Sequence, residues 1–97
     1  MRIRTRSRKD YPVYTGVLKY FPKALMQVSK VSKIGNDQHN PNQKLHWSKD
    51  KSKDHSDALT RHLLDADKID QDGCYHLAKV AWRALAWLET KLEEDEK

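Results

Sequence analysis

"DGCYHLAKVAWRALAWLETKLEE", residues 72–94, carries the strongest periodic signal in the chain. Leu77, Ala81, Ala84, Leu85, Leu88 and Leu92 recur at helical spacing and form one apolar stripe. Asp72, His76, Lys79 and Arg83 form a second stripe, bordered by Val80 and Trp87 and opposite the leucines. The spacing predicts a helix from about Asp72 to about Glu94 with one face to bury and one rich in ionisable groups. The preceding connection, "ADKIDQDG", is short, so the helix before it should return antiparallel. That second helix is expected from Ser52–Asp54 to Asp65. A first helix opens at Phe21-Pro22, because proline at the first helical position gives up no needed hydrogen bond. Phe21, Ala24, Leu25, Val28 and Val31 supply its apolar face, Lys23, Lys30 and Lys33 its other side, and Gly35 is a natural stop. The expected fold class is all-α, a small bundle of about three helices.

Outside the helices, residues 1–20 show no helical period and read as an extended basic arm, with a strand-like piece around Val13–Leu18. Residues 36–52 are polar and turn-rich, broken by Asn40-Pro41; a connection that long in a small domain tends to be functional. With 97 residues, 37% of them hydrophobic and 34% charged, the chain is one small domain near the lower limit for a comfortable core. Completion of that core as a homodimer or homotetramer built on the third helix is therefore expected. A net charge of +5 and a pI near 9.4 favour an anionic partner such as a nucleotide or nucleic acid. The lone Cys74 rules out an intramolecular disulfide and a multi-cysteine zinc module, and fits a reducing cytoplasm. No apolar run reaches the roughly 18 residues of a membrane span, so no membrane partner is expected.

The stretch joining helices two and three, residues 54–76, packs three histidines and six aspartates together. On a helical wheel Asp54, Asp57, Arg61 and Asp65 share one side, where Asp57–Arg61 and Arg61–Asp65 would make ordinary i,i+4 pairs on a wet face. His55, Leu59, His62 and Ala66 follow a neighbouring line that flanks the apolar face. Antiparallel packing brings Asp72 and His76 near His62 and Asp65. Carboxylates with imidazoles suit Mg²⁺ or Mn²⁺, and the adjacent Lys79 and Arg83 suit the oxygens of a polyphosphate. Asp72 serves equally well as the N-cap of helix three.

At these residues the sequence resembles the phage-encoded, MazZ-like dATP/dGTP diphosphohydrolases, distant relatives of the MazG-type all-α nucleoside triphosphate pyrophosphohydrolases. "YFPKAL", "VSKIGNDQHNP", "LHWSKDKSKDHSDALTRHLLD" and "DQDGCYHLAKVAWRAL", within about residues 20–88, carry the resemblance. It implies a metal-dependent cut between the α- and β-phosphates of a purine deoxynucleoside triphosphate, in phage nucleotide metabolism in the host cytoplasm. Carried over by position, it makes Asp54, Asp57 and Asp72 metal ligands, with His62 and His76 as ligands or as groups that orient them. Asp57, His62 and His76 become the catalytic residues, on a divalent ion that acidifies the attacking water. Arg61, Lys79 and Arg83 would hold the phosphates, joined by Lys30 and Lys33 from helix one. His46 and Trp47 are the expected contacts to base or sugar, since an aromatic face stacks on a purine; a loop anchor is the equal alternative for Trp47. Aspartates mixed with histidines here stand where MazG-type enzymes carry mainly glutamates. The chief rival is a small nucleic-acid-binding protein that uses the arginine-rich arm, a secondary role for nucleic acid. A structural member of the same fold without activity is the other.

Overall fold

The computed structural model describes residues 5–51 and 53–96 and is all-α. Its main helices are α1 (Pro22–His39), α2 (His55–Leu64) and α3 (His76–Asp95). A 3-10 helix (Thr5–Asp10) and a π-helical turn (Tyr14–Leu18) precede α1, and a 3-10 turn (Lys49–Lys51) precedes α2. No helix is long and apolar enough to cross a membrane, among the described residues.

Helix α3 lies at the centre, packed against both α2 and α1. The residues it buries are small: Ala78 and Ala86, with Ala58 of α2 and Cys74 of the preceding turn. Small side chains allow close helix approach but contribute little area, and Cys74 is the largest fully buried side chain. The apolar stripe is not the core of the single chain. Leu77, Leu85 and Leu88 of the periodic stripe are each more than half exposed. The stripe is real, but α1 and α2 occupy the other side of α3.

Three boundaries also differ from expectation. Helix α1 runs through Gly35 to His39, because nothing crowds Gly35 and the breaking signal is Asn40-Pro41. The stretch around Val13–Leu18 is a π-helical turn rather than a strand-like piece, and Thr5–Asp10 is a 3-10 helix; residues 1–4 lie outside the described residues. Helix α3 begins at His76 rather than Asp72, because the chain first makes a tight reversal. There Asp70 N–H donates to the Cys74 carbonyl (2.8 Å), Gly73 N–H to Asp70 (3.0 Å) and His76 N–H to Lys68 (3.0 Å). Ile69 and Tyr75 form an isolated antiparallel bridge across it.

Gly73 sits at φ +86°, in the left-handed region that favours glycine. An added Cβ would meet only the Lys30 ammonium at an ordinary 3.7 Å, so the backbone alone sets the cost of substitution. Gly73→Ala is expected to destabilise by about 1–2 kcal/mol, measurable by urea unfolding.

The connection from α1 to α2 is organised rather than structureless. Asn36, buried at the end of α1, donates from Nδ2 to the Gln43 carbonyl (3.1 Å). Its Oδ1 accepts from His46 N–H and Asn40 Nδ2, each at 3.4 Å. Trp47 packs edge-on against Trp82 of α3 (5.6 Å, 76°), and Trp82 Nε1 donates to Ser32 Oγ on α1 (2.7 Å). Lys49 then pairs with Glu93 at 2.9 Å. Trp47 thus ties the connection to α3 while remaining part-exposed.

Candidate active site

Antiparallel packing of α2 on α3 places the last turn of α2 beside the first turn of α3. His62 and His76 meet there with Nδ1 atoms 2.9 Å apart, at hydrogen-bond distance, so one nitrogen carries a proton and the other accepts it. Asp70 arrives from the reversal, its Oδ1 3.8 Å from His76 Nε2. One donor atom from each of His62, Asp70 and His76 lies within 4.8 Å of the others. Two imidazoles and a carboxylate form a metal-ligating type of donor set.

Lys79 supports this trio. Its Nζ donates to Asp70 Oδ2 and to Asp72 Oδ2, both at 2.7 Å, and its side chain is only 16% exposed. The Lys79 hydrogen bond and the Gln71 N–H together hold Asp70 below the usual carboxylate range. For Asp72, burial pushes upward, but the Lys79 ammonium and the Cys74 N–H bring it below that range. Lys79 itself is pushed down by burial and up by its two carboxylates, and the carboxylates win. Burial, then Asp72, pushes the Cys74 thiol up, leaving it in the unreactive neutral form.

A second cluster lies further along the same seam. His55 is buried, and its Nδ1 accepts from Arg83 Nη1 at 3.1 Å. Since a guanidinium can only donate, His55 is neutral and carries its proton on Nε2. Arg61 Nη2 reaches Asp54 Oδ2 at 3.3 Å, and Arg83 Nη1 lies 3.8 Å from Asp54 Oδ1. Two guanidiniums thus converge on one exposed carboxylate at the start of α2.

The expected site residues divide accordingly. His62 and His76 come together. Asp54 stands at the N-cap of α2, engaged with Arg61 and Arg83. Asp57 is exposed in the first turn of α2, outside both clusters. The expected Asp57–Arg61 and Arg61–Asp65 pairs give way to Arg61–Asp54 and Lys68–Asp65, because Arg61 extends back toward the N-terminus of α2. Asp72 neither caps α3 nor joins the trio: its Oδ1 accepts from Cys74 N–H at 3.0 Å within the turn. Lys30 Nζ donates to the Gly73 carbonyl (3.0 Å), bracing the reversal, and Lys33 pairs with Asp37 on the surface (2.8 Å). His46 is exposed and its Nδ1 lies 3.0 Å from the Lys44 carbonyl.

Asp70 is the residue that sequence reasoning missed. Starting helix three at Asp72 left Asp70 in a passive connection. The Asp-x-x-Gly pattern of Asp70 to Gly73 signals a tight turn, which would have moved the helix start and folded Asp70 back onto it.

Burial first, then Arg83, holds His55 below the ordinary histidine value of 6.5. Burial, then Lys79 and His76, does the same for His62. The folded chain therefore binds fewer protons than the unfolded chain just below that value, and stability falls as the solution is acidified. The loss begins near 6.5 and is complete below the folded values. Tm is expected to drop as pH falls below about 6.5, less so in His55→Gln.

Paired imidazoles with a carboxylate on a helical pair, and a guanidinium–carboxylate cluster further along it, form the candidate site. The family model described as dATP/dGTP diphosphohydrolase, N-terminal, matches residues 4–97, and the chain belongs to that family. No curated protein and no solved structure matches it.

Proposed function

We propose that this protein hydrolyses dGTP and dATP to the nucleoside monophosphate and pyrophosphate, using a divalent ion held by His62, Asp70 and His76. The observation that carries the reading is the convergence of these three donors, with Arg83 near enough to His62 to reinforce burial in depressing its pKa. The donor set fits an ion. One donor atom from each of the three lies within 4.8 Å of the others, and an ion between them would take the place of the proton that the two imidazoles share. Two imidazoles favour Mn²⁺ over Mg²⁺. A bound ion would supply positive charge to the triphosphate and lower the pKa of a coordinated water.

The chain's own residues perform the remaining work. Lys79 holds Asp70 through Oδ2 and leaves Oδ1 turned toward His76. Arg83 and Arg61 exchange Asp54 for phosphate oxygens, which accept the same forked donors. An open groove of about 290 Å³, lined by Val28, Ser32, Trp47, Trp82 and Leu85, offers indole faces to a purine. Arg83 lies over the Trp82 ring at 5.7 Å and so connects the groove to the phosphate site. Self-association as a dimer or tetramer completes this reading. We read the reaction as part of phage nucleotide metabolism, a reading the resemblance to phage enzymes supports.

Incubation with dGTP or dATP and Mn²⁺ is expected to release monophosphate and pyrophosphate in equal amounts. Diphosphate with inorganic phosphate, or no turnover with any purine triphosphate under several metals, contradicts the proposal.

A further inference from the structure

We propose that the basic N-terminal arm lies on the leucine-rich and acidic face of α3 in a second copy of this chain, so that two copies exchange arms. The partner rests on the self-association read above; the contact itself goes beyond it.

The chain exposes too much surface to stand alone. A folded monomer of 11.4 kDa is expected to expose about 5,800 Å², whereas this chain exposes 8055 Å². Its radius of gyration, 14.9 Å, likewise exceeds the about 12.5 Å of a compact chain this long. The excess area, about 2,300 Å² per chain, is what an obligate dimer buries.

Two of the exposed apolar regions match each other; others lie at Met26, Leu45, Leu63, Leu64 and Ile69. Tyr11, Val13, Tyr14, Val17, Leu18 and Tyr20 of the arm are all exposed, Tyr14 at 65%. Among the described residues, every hydrogen bond and ring contact of residues 8–20 stays within the arm or reaches Phe21. On α3, Leu77 and Leu88 are exposed, Leu88 at 55%, apart from the Leu85 that lines the groove.

The two surfaces match in charge and in order. Residues 1–20 hold six cations and one acid, and residues 89–97 hold five acids and two cations. Arg2, Arg4 and Arg6 enter this count as sequence charge only. Along the arm, five of the six cations come first, at residues 2–9, and apolar residues second. Along α3, the exposed leucines come first and Glu94, Asp95 and Glu96 second. An arm laid antiparallel on the partner's α3 therefore sets its valines, leucine and tyrosines over the leucines and its cations over the acidic end. A nucleic-acid arm requires the cations but not Val13, Val17 and Leu18.

The test is a reciprocal charge swap in the full chain, read by light scattering and sedimentation equilibrium. Arg8→Glu/Lys9→Glu reverses the arm, and Glu94→Lys/Glu96→Lys reverses the helix. Each variant alone is expected to self-associate at least about tenfold more weakly than wild type. An equimolar mixture restores both contacts, so heterodimers are expected at near wild-type affinity. Deleting residues 1–20 should lower the mass to that of a monomer, with helicity retained by circular dichroism. A monomeric wild type would sink the self-association reading together with this one. An associated wild type whose mass survives the deletion, or variants that mixing does not rescue, overturns the arm exchange alone. Salt-sensitive DNA binding lost with residues 1–20 while the mass stays unchanged overturns it in favour of nucleic acid.

Discussion

Asp70→Asn and His76→Ala are each expected to lower kcat/KM for dGTP by at least about a hundredfold. Groups that merely orient metal ligands are already worth roughly 10–100-fold, and these two supply proposed donor atoms. The asparagine variant keeps the shape of the side chain, so fold and turn should persist. Circular dichroism should stay unchanged while the Mn²⁺-dependent rise in Tm disappears. His62→Ala should behave alike, since its Nδ1 is the 2.9 Å partner of His76. Asp57→Ala discriminates between two placements of the ion. Activity within a few-fold of wild type leaves the ion with His62, Asp70 and His76. A loss equal to that of Asp70→Asn brings Asp57 into the site, as the sequence pattern expected.

Lys79→Met should produce the largest loss of stability. Lys79 Nζ bridges Asp70 and Asp72 at 2.7 Å each, with the three side chains between 16% and 27% exposed. Removing one member of a fully buried charge pair costs about 3–5 kcal/mol; with this much residual solvent the cost is about 1–3 kcal/mol. Two carboxylates would then face each other without their shared cation. In wild type their pKa values are depressed, so the stability they contribute is present above the ordinary 3.8 and lost as pH falls through their folded values. That acid-side contribution should vanish in Lys79→Met. Adding Asp70→Asn to Lys79→Met should recover part of the loss, giving a coupling in a double-mutant cycle.

The helices were legible because their periodicity is local. Pro22 opens α1, Asp54 precedes α2, and the apolar repeat of α3 reads clearly. Burial was not legible, because a stripe does not say which side of a helix its neighbours will take. The leucines of α3 therefore looked like core, while the alanines were the residues that allowed close packing. The histidine pair could be reached from the sequence, since a short antiparallel connection forces His62 toward His76. Asp70 could not be reached without the reversal at Gly73, whose bonds run between residues that no helical wheel relates. Likewise Lys79 pointed to phosphate on the wheel, but the turn folds two carboxylates onto it.

A crystal grown with Mn²⁺ and a non-hydrolysable dGTP analogue, with data collected at the manganese edge, locates the ion directly. The expected result is an anomalous peak bounded by His62, Asp70 and His76, with the triphosphate running toward Arg61 and Arg83. A peak at Asp54 and Asp57 with the histidine pair still hydrogen-bonded, or no peak with nucleotide bound, would contradict the assignment.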